Sequence, residues 1–266
     1  MSGARRAFLA ALLILGGLGP ARATTPIEIV LAPLYGAVAS IRDFAPLRAH
    51  LQKTLGRPVE SVSARDHASQ LDQLRRHRYD YAVVPPHLAQ QLSAEGRYHP
   101  LMTITGPDPV VLIAHHDPVE TPREHLAGMR LALPDDASLA SWTAQRVMPE
   151  RLADARRYPN NLAAATAVSR GLADAAIVQR SAARRVTAST AAPIAATLDS
   201  NAAGMILIHR NAPINPPPET FAKALAGFRE TPKGAHYLVT HGHGALRTID
   251  VSGLFAASAS DTARHP

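Results

Sequence analysis

The segment Leu133–Met148, LPDDASLASWTAQRVM, places small hydroxyl residues and two carboxylates before a helical pattern. It reads as a short apolar strand, a turn and a helix. The N-terminus of a helix presents unpaired N–H groups and the positive end of its dipole, so such a turn can hold a bound anion. The same residues also suit a well-capped helix start, with Ser138 as the cap and the aspartates favourable beside it. Both interpretations fit this segment.

Catalytic and metal-binding patterns are the other chemistry to consider. The nucleophile elbow, the zinc-protease helix and the glycine-rich nucleotide loops have no match, so we predict that the chain is not an enzyme. His115 and His116 end a strand and point to opposite faces, and His241 and His243 lack a third ligand. The chain has no cysteine, which excludes thiol catalysis and cysteine-based metal sites. We predict no metal and no cofactor.

The N-terminal 23 residues have the pattern of an export signal. Arg5 and Arg6 precede the apolar run Ala7–Leu18, which is too short to span a bilayer, and the triplet Ala21–Ala23 matches an A-x-A cleavage site. We therefore expect residues 1–23 to be removed and the mature chain to lie in the periplasm, without membrane insertion.

Composition indicates an ordinary soluble protein. With 266 residues, 46% of them hydrophobic and 18% charged, the chain can bury one large core or two smaller ones. The formal net charge of +7 falls to +4 when the three arginines of the leader are removed. The remaining basic pairs, such as Arg156-Arg157 and Arg184-Arg185, are scattered without interleaved aromatic residues. This indicates a solvated surface, and nucleic acid is not an expected partner.

Strand patterns alternate with helix patterns along the chain. Ile27–Leu31 and Tyr79–Val84 are apolar strand segments, and Ser40–Leu55 between them has helical spacing. This alternation predicts parallel βαβ units and a doubly wound α/β sheet. Breaks near Gly106 and Ser200 indicate two chain crossings between a discontinuous lobe and an inserted one. The expected organisation is a signal peptide at 1–23, lobe 1 at 24–105 plus 200–266, and lobe 2 at 106–199.

Five segments carry a resemblance to a known family. In chain order they are IEIVLAPLYG, LGRPVE, YDYAVVPP, LAGMRLALPDDAS and GLADAAIV. Together they resemble the phosphonate- and phosphite-binding proteins of periplasmic ABC importers, over about Pro26 to Phe228. The resemblance implies a two-lobed type II periplasmic binding protein fold of the α/β class, with a hinge and an interlobe cleft. Ligands of open α/β sheets lie at the carboxyl ends of strands where the connections diverge, which agrees with this expectation.

The turn departs from the pattern of the family it resembles. That pattern is Asp-Pro-Gly-Ser-Thr-Ser-Gly, whose hydroxyls and N–H groups hold an oxyanion. The matching residues here run from Asp135 to Ser141, and only Asp135 and Ser138 keep the family residue. Leu139 and Ala140 remove two hydroxyl donors, each contributing ~1.5–3 kcal/mol to a charged ligand. We therefore expect phosphonates and phosphate to bind weakly, with Ser138 and Ser141 as the candidate contacts that are left.

Five further residues are candidates for ligand contact, each with a structural alternative. Tyr35 matches a position that faces the cleft in the family, and the alternative is a surface turn. His87 donates to a ligand or caps its helix. Trp142, the only tryptophan, stacks on a ligand or packs in an interlobe or core contact. Asn161 replaces a family histidine and donates to a ligand or is a helix N-cap. Arg180 clamps an anion or is a solvated arginine.

The expected function is that of a monomeric periplasmic solute-binding protein, similar to the phosphonate-binding component of an ABC importer. It captures a small polar or anionic ligand and delivers it to an ABC permease. The alternative is a periplasmic sensory module that partners a membrane sensor histidine kinase or a respiratory system. A third interpretation, a metal-binding protein, requires tight binding by His241 and His243.

Overall fold

The structure is a computed structural model that describes residues 25–114, 126–187, 193–199, 202–212, 216–240, 244 and 246–249. The expected signal peptide and the histidine pairs at 115–116 and 241–243 lie outside these residues. Within the described ranges, no helix is both long and apolar enough to cross a membrane.

One six-stranded sheet forms the framework of what we call the first lobe. Its order is β11-β4-β10-β3-β1-β2, where β1 lies parallel to β2 and β3, and β10 lies antiparallel to β3 and β4. The strands are β1 (Ile27–Leu31), β2 (Val59–Ser63), β3 (Tyr81–Val84), β4 (Tyr98–Pro107), β10 (Ala202–His209) and β11 (Leu246–Thr248).

A five-stranded sheet forms the framework of the second lobe. Its order is β7-β6-β8-β5-β9, with β5 antiparallel to β8 and β9. The strands are β5 (Val110–Ala114), β6 (Leu131–Leu133), β7 (Arg156–Arg157), β8 (Ala175–Gln179) and β9 (Ile194–Asp199). The chain leaves the first sheet at the end of β4 and enters the second at β5, with only Asp108 and Pro109 between them.

The sheets are mixed, whereas the alternation of strands and helices predicts parallel strands alone. The difference arises at the two crossings. β4 and β5 carry the chain out of the first sheet, and β9 and β10 carry it back. Outgoing and returning strands are neighbours in each sheet, so they pair antiparallel. Strand β9 was not predicted from the sequence.

Helices cover both faces of each sheet, as the buried faces of an α/β fold require. α1, α7 and α8 pack with one face of the first sheet, and α2 and α3 with the other. α4 packs on one face of the second sheet, and α5 and α6 on the other. The helices are α1 (Ala37–Leu55), α2 (His67–Arg76), α3 (Pro86–Ala94), α4 (Leu139–Val147), α5 (Asn161–Ser169), α6 (Arg180–Thr187), α7 (Pro218–Gly227) and α8 (Pro232–Thr240).

Side-chain caps fix where three of these helices begin. Asp66 caps α2 and Ser138 caps α4, each accepting a hydrogen bond from an N–H three residues ahead. The Ser138 cap, one of the two interpretations of the turn, is confirmed. The alternative of an N-cap at Asn161 is wrong, because Asn160 caps α5 and Asn161 is its first helical residue.

Candidate ligand-binding cleft

The start of α4, in the second lobe, meets the start of α2, in the first, through the carboxylate of Asp135. This carboxylate accepts from His67 Nδ1–H at 2.9 Å and from Ala68 N–H at 3.2 Å. It also accepts from Ala137 N–H, in its own turn, at 3.2 Å. The N–H groups that an anionic ligand would use are therefore partly occupied by a carboxylate of the protein itself.

The hydroxyls of the turn are also engaged within the protein. Buried Ser138 accepts from Ser141 N–H at 3.1 Å, and the Ser141 hydroxyl donates to the Pro134 carbonyl at 3.0 Å. These contacts are those of a capped helix start. The two serines that the sequence offers as ligand contacts thus stabilise the turn that carries Asp135.

His87 and Trp142 form a second contact between the lobes. His87 Nε2–H donates to the Ala137 carbonyl at 2.8 Å, and its ring stacks on the indole of Trp142 with centroids 5.5 Å apart. The Arg146 guanidinium lies 4.6 Å from the centre of the same indole. Burial lowers the pKa of His87, and the Ala137 bond opposes that shift. Trp142 therefore has an interlobe contact, with one side packed on the core of the second lobe.

Tyr35, in the loop after β1, lies against α6 of the second lobe. The guanidinium of Arg185 sits 3.6 Å from the centre of the Tyr35 ring and forms an ion pair with Asp43. Burial raises the pKa of Tyr35, and the side chain of Ser181 beside its hydroxyl acts against the rise. The expectation that Arg185 belongs to a solvated surface is wrong, because the fold brings this arginine to the face of an aromatic ring.

Asp108, at the crossing between β4 and β5, is the centre of a buried polar cluster. Only 4% of its surface is exposed. It accepts from Gln179 Nε2 at 3.1 Å, from Ser181 N–H at 2.8 Å and from the Ser181 hydroxyl at 2.7 Å. Burial raises the pKa of Asp108, and these hydrogen bonds act against the rise. Through Ser181, the cluster reaches Tyr35 of the first lobe.

Asn161 and Gln179 complete this cluster on the side of the second lobe. The side-chain oxygen Oδ1 of Asn161 accepts from the Gln179 backbone N–H at 2.9 Å, and both residues are buried. Asn161 Nδ2 and Gln179 Oε1 have no hydrogen-bond partner among the described residues. The adjacent Asn160 faces the first lobe, where a Cβ added to Gly36 would lie 3.3 Å from Asn160 Nδ2.

Arg180 is bonded to the second lobe. Its backbone N–H donates to the Pro109 carbonyl at 2.9 Å, and its Nη2 donates to Thr197 on β9 at 3.0 Å. The candidate residues therefore divide into three places. His87, Ser138, Ser141 and Trp142 lie around the α4 turn, Tyr35 and Asn161 lie at the two ends of the Asp108 cluster, and the guanidinium of Arg180 is held against β9.

Several residues at the lobe contact were not singled out by the sequence. His67, Asp108, Ser181 and Arg185 belong to this set, and Asp43 pairs with the last of them. The segment around Asp108 is Gly-Pro-Asp-Pro, in which an acidic residue lies between two prolines. This pattern predicts a break in secondary structure but does not indicate that Asp108 is buried in a polar cluster. In the part of the chain that the structure covers, no three histidine, aspartate or glutamate side chains are grouped as a metal site requires.

A family model described as the periplasmic substrate-binding protein of phosphonate ABC transporters matches residues 29–261. The chain belongs to this family. It is therefore a periplasmic solute-binding protein, and members of the family are binding proteins that work with ABC transporters. No curated protein sequence matches the chain.

Solved structures of the family share the fold. A binding protein component of an ABC phosphonate transporter from Pseudomonas aeruginosa superposes with a TM-score of 0.72 at 12% identity, covering 85% of this chain and 82% of that one. PhnD1 from Prochlorococcus marinus, in complex with methylphosphonate, gives 0.71 at 9% identity, covering 84% and 92%.

A histidine kinase sensor domain similar to periplasmic binding proteins gives a TM-score of 0.60 at 15% identity, covering 84% of this chain and 99% of the domain. The type II periplasmic binding protein fold is thus used for transport and for sensing. The family match favours the transport function for this chain.

Proposed function

We propose that this protein captures a small polar ligand in the cleft between its two lobes and delivers it, as a monomer, to an ABC permease. The lobes would correspond to residues 24–105 plus 200–266 and residues 106–199, and would close about the crossing at Asp108. The observation that carries the proposal is the polar cluster from Tyr35 to Asn161. It extends from one lobe to the other and contains a buried donor, Asn161 Nδ2, and a buried acceptor, Gln179 Oε1, without partners among the described residues.

Unpaired polar atoms favour a ligand that offers both hydrogen-bond donors and acceptors. A buried polar group without a partner costs about 1–3 kcal/mol, and a ligand that pairs with it recovers that cost. Because Nε2 of His87 donates and burial lowers the pKa of this ring, its other nitrogen, Nδ1, is an acceptor, and it is buried without a partner in the described part of the chain. Gln179 Oε1 is a second acceptor.

A phosphonate dianion is a poor match for these groups. It offers acceptors only, whereas Gln179 Oε1 and Nδ1 of the neutral His87 ring are themselves acceptors, and Asp135 adds a negative charge at the helix start. We therefore propose a ligand that carries hydroxyl or amino groups, and we expect methylphosphonate and inorganic phosphate to bind weakly.

Two matched variants test the cleft. Asn161→Asp keeps the oxygen that accepts from Gln179 but replaces the unpaired Nδ2 donor by a carboxylate oxygen. Asn160→Asp is the control, because aspartate still caps α5. Native mass spectrometry of protein purified from the periplasm identifies the ligand that co-purifies. We expect Asn161→Asp to lose that ligand and Asn160→Asp to retain it.

Calorimetry measures the affinity for phosphonates and is the second test. Affinity in the submicromolar range for methylphosphonate or phosphate contradicts the proposed ligand class. Equal retention of the co-purified ligand by both asparagine variants contradicts the cleft site itself.

A further inference from the structure

The first lobe contains a cavity of about 130 Å³ that shares Tyr35 with the polar cluster around Asp108 and otherwise lies apart from it. It lies between the first sheet and the helices α1, α7 and α8. Leu31, Tyr81 and Ile206 line it from the sheet. Phe44, Phe221 and Leu238 line it from the helices, and all six of these side chains are buried.

The cavity is partly open rather than sealed, and its volume is large for the interior of a small lobe. Protein interiors are close-packed, and the voids in them are rarely larger than a water molecule. An apolar cavity of ~150 Å³ stays dry in water and binds benzene or xenon. The cavity in the first lobe is close to that size and has apolar walls, so it offers room for one aromatic ring or a short hydrocarbon chain.

One end of the cavity is polar. Tyr35, Ser40, Asp43 and Tyr237 line it there. The Ser40 hydroxyl is buried and has no hydrogen-bond partner among the residues that the structure describes. Burial raises the pKa of both Tyr35 and Tyr237, so their hydroxyls stay neutral at physiological pH. The charge of Asp43 is balanced by its ion pairs, so this end of the cavity presents neutral hydroxyl groups to an occupant.

The polar end lies beside the second lobe. Arg185 of α6 covers the ring of Tyr35 and pairs with Asp43, and both of these residues line the cavity. An arginine of one lobe therefore sits at the polar end of a cavity in the other. Movement of α6 away from the first lobe would withdraw this arginine and uncover that end.

Gly234 sets how closely α8 approaches the cavity. A Cβ at this position would lie 1.7 Å from the carbonyl oxygen of Phe228, which no side chain can occupy without a backbone shift. Tyr237 and Leu238 follow on the same helix and form part of the cavity wall. Gly234 therefore allows α8 to lie where Tyr237 and Leu238 form the cavity wall, and a shift of this helix would change the cavity volume.

We propose that this cavity is a second binding site, which takes a small aromatic or short aliphatic molecule bearing one neutral polar group, with that group at Ser40. A phenol is the simplest probe of this class. The site differs from the cleft, because it shares only Tyr35 with the polar cluster and neither Asn161 nor Gln179, which carry the unpaired atoms of the cleft.

Calorimetry on the purified protein with phenol and with benzene tests the proposal. We expect saturable binding of one molecule of either probe, with phenol about three- to tenfold tighter because it gains a hydrogen bond at Ser40. Ser40→Ala is expected to remove the preference for phenol while keeping benzene binding. Asn161→Asp is expected to leave both affinities unchanged, which separates this site from the cleft.

A filled cavity provides the decisive comparison. Ala32 lines the cavity, so Ala32→Leu is expected to weaken both probes more than tenfold, whereas Ala49→Leu on the exposed side of α1 is expected to change neither. If circular dichroism shows that Ala32→Leu is unfolded, Ser40→Leu takes its place. Absence of saturable binding to the folded protein overturns the proposal, and so does equal binding by a folded, filled variant.

Discussion

Asp135→Asn is expected to loosen the contact between the two lobes. The carboxylate of Asp135 in the second lobe accepts from His67 and from the backbone of Ala68 in the first lobe. Asparagine keeps one oxygen acceptor but loses the charge, and its amide nitrogen cannot accept from His67 Nδ1–H. The substitution therefore removes interlobe bonding while leaving the size of the side chain almost unchanged.

The expected magnitude follows from the weakening of the His67 bond when its acceptor becomes a neutral amide oxygen. A hydrogen bond to a charged group contributes ~1.5–3 kcal/mol, and a neutral one ~0.5–1.5 kcal/mol. The difference for the His67 bond is about 1–2 kcal/mol, which changes the ratio of open to closed molecules by a factor of roughly 5–30. The variant is expected to remain folded, because the cores of both lobes are untouched.

Two measurements report the opening. Small-angle X-ray scattering is expected to give a larger radius of gyration for Asp135→Asn than for the wild type. The fluorescence of Trp142, the sole tryptophan, is expected to change as well, because its indole stacks on His87 across the lobe contact. Identical scattering and fluorescence for the variant and the wild type would refute the reasoning.

The neighbouring residue supplies the control. Asp136 has 79% of its side chain exposed and pairs with Arg157 in the same lobe. Asp136→Asn removes the same charge from the same turn without touching the first lobe, and we expect it to leave both signals unchanged. An equal effect of the two substitutions would show that net charge, and not the bond to His67, controls the opening.

Three further changes are expected to act on stability. Ser138→Ala removes the cap of α4 and is expected to lower the free energy of unfolding by about 1 kcal/mol in urea titrations. An unchanged free energy of unfolding would show that the Ser138 side chain does not stabilise the helix start. Arg185→Met removes an ion-pair partner of the carboxylate of Asp43, which is largely buried, and is expected to lower the melting temperature. An unchanged melting curve would show that this ion pair does not stabilise the fold. The pKa of His87 is lower in the folded than in the unfolded chain, so below its ordinary value near 6.5 the unfolded chain binds more protons. The free energy of unfolding is therefore expected to fall as the pH drops below about 6.5, and less steeply in His87→Phe, whereas parallel pH profiles would exclude this histidine as a cause.

Local features of the fold could be read from the sequence, because their causes lie within a few residues. Asp66 and Ser138 cap helices by bonding to an N–H three positions ahead, and that spacing is visible in the chain. Similarly, Val110–Ala114 is an uninterrupted apolar run and forms a strand buried on both faces. Asn161 shows the limit of such inference, since two adjacent asparagines are equivalent in pattern and only the backbone decides which one caps.

The contacts between the lobes could not be predicted in this way. His67 and Asp135 are 68 positions apart, and Asp43 and Arg185 are 142 apart. Their meeting depends on how two separately packed lobes face each other, which hydrophobic periodicity does not encode. The mixed strand directions were missed for a related reason, because the alternation of strands and helices does not show which strands carry the chain out of a sheet and which return it.

The tight approach of Gly234 to Phe228 supplies a marker for comparing homologues. A relative with alanine or a larger residue at this position must shift the N-terminal turn of α8, which displaces the helix that carries Tyr237 and Leu238. Its cavity would then differ in volume even if every residue that lines it were the same. The residue at this one position is therefore expected to sort family members by whether they take up a phenol, independently of which solute they transport.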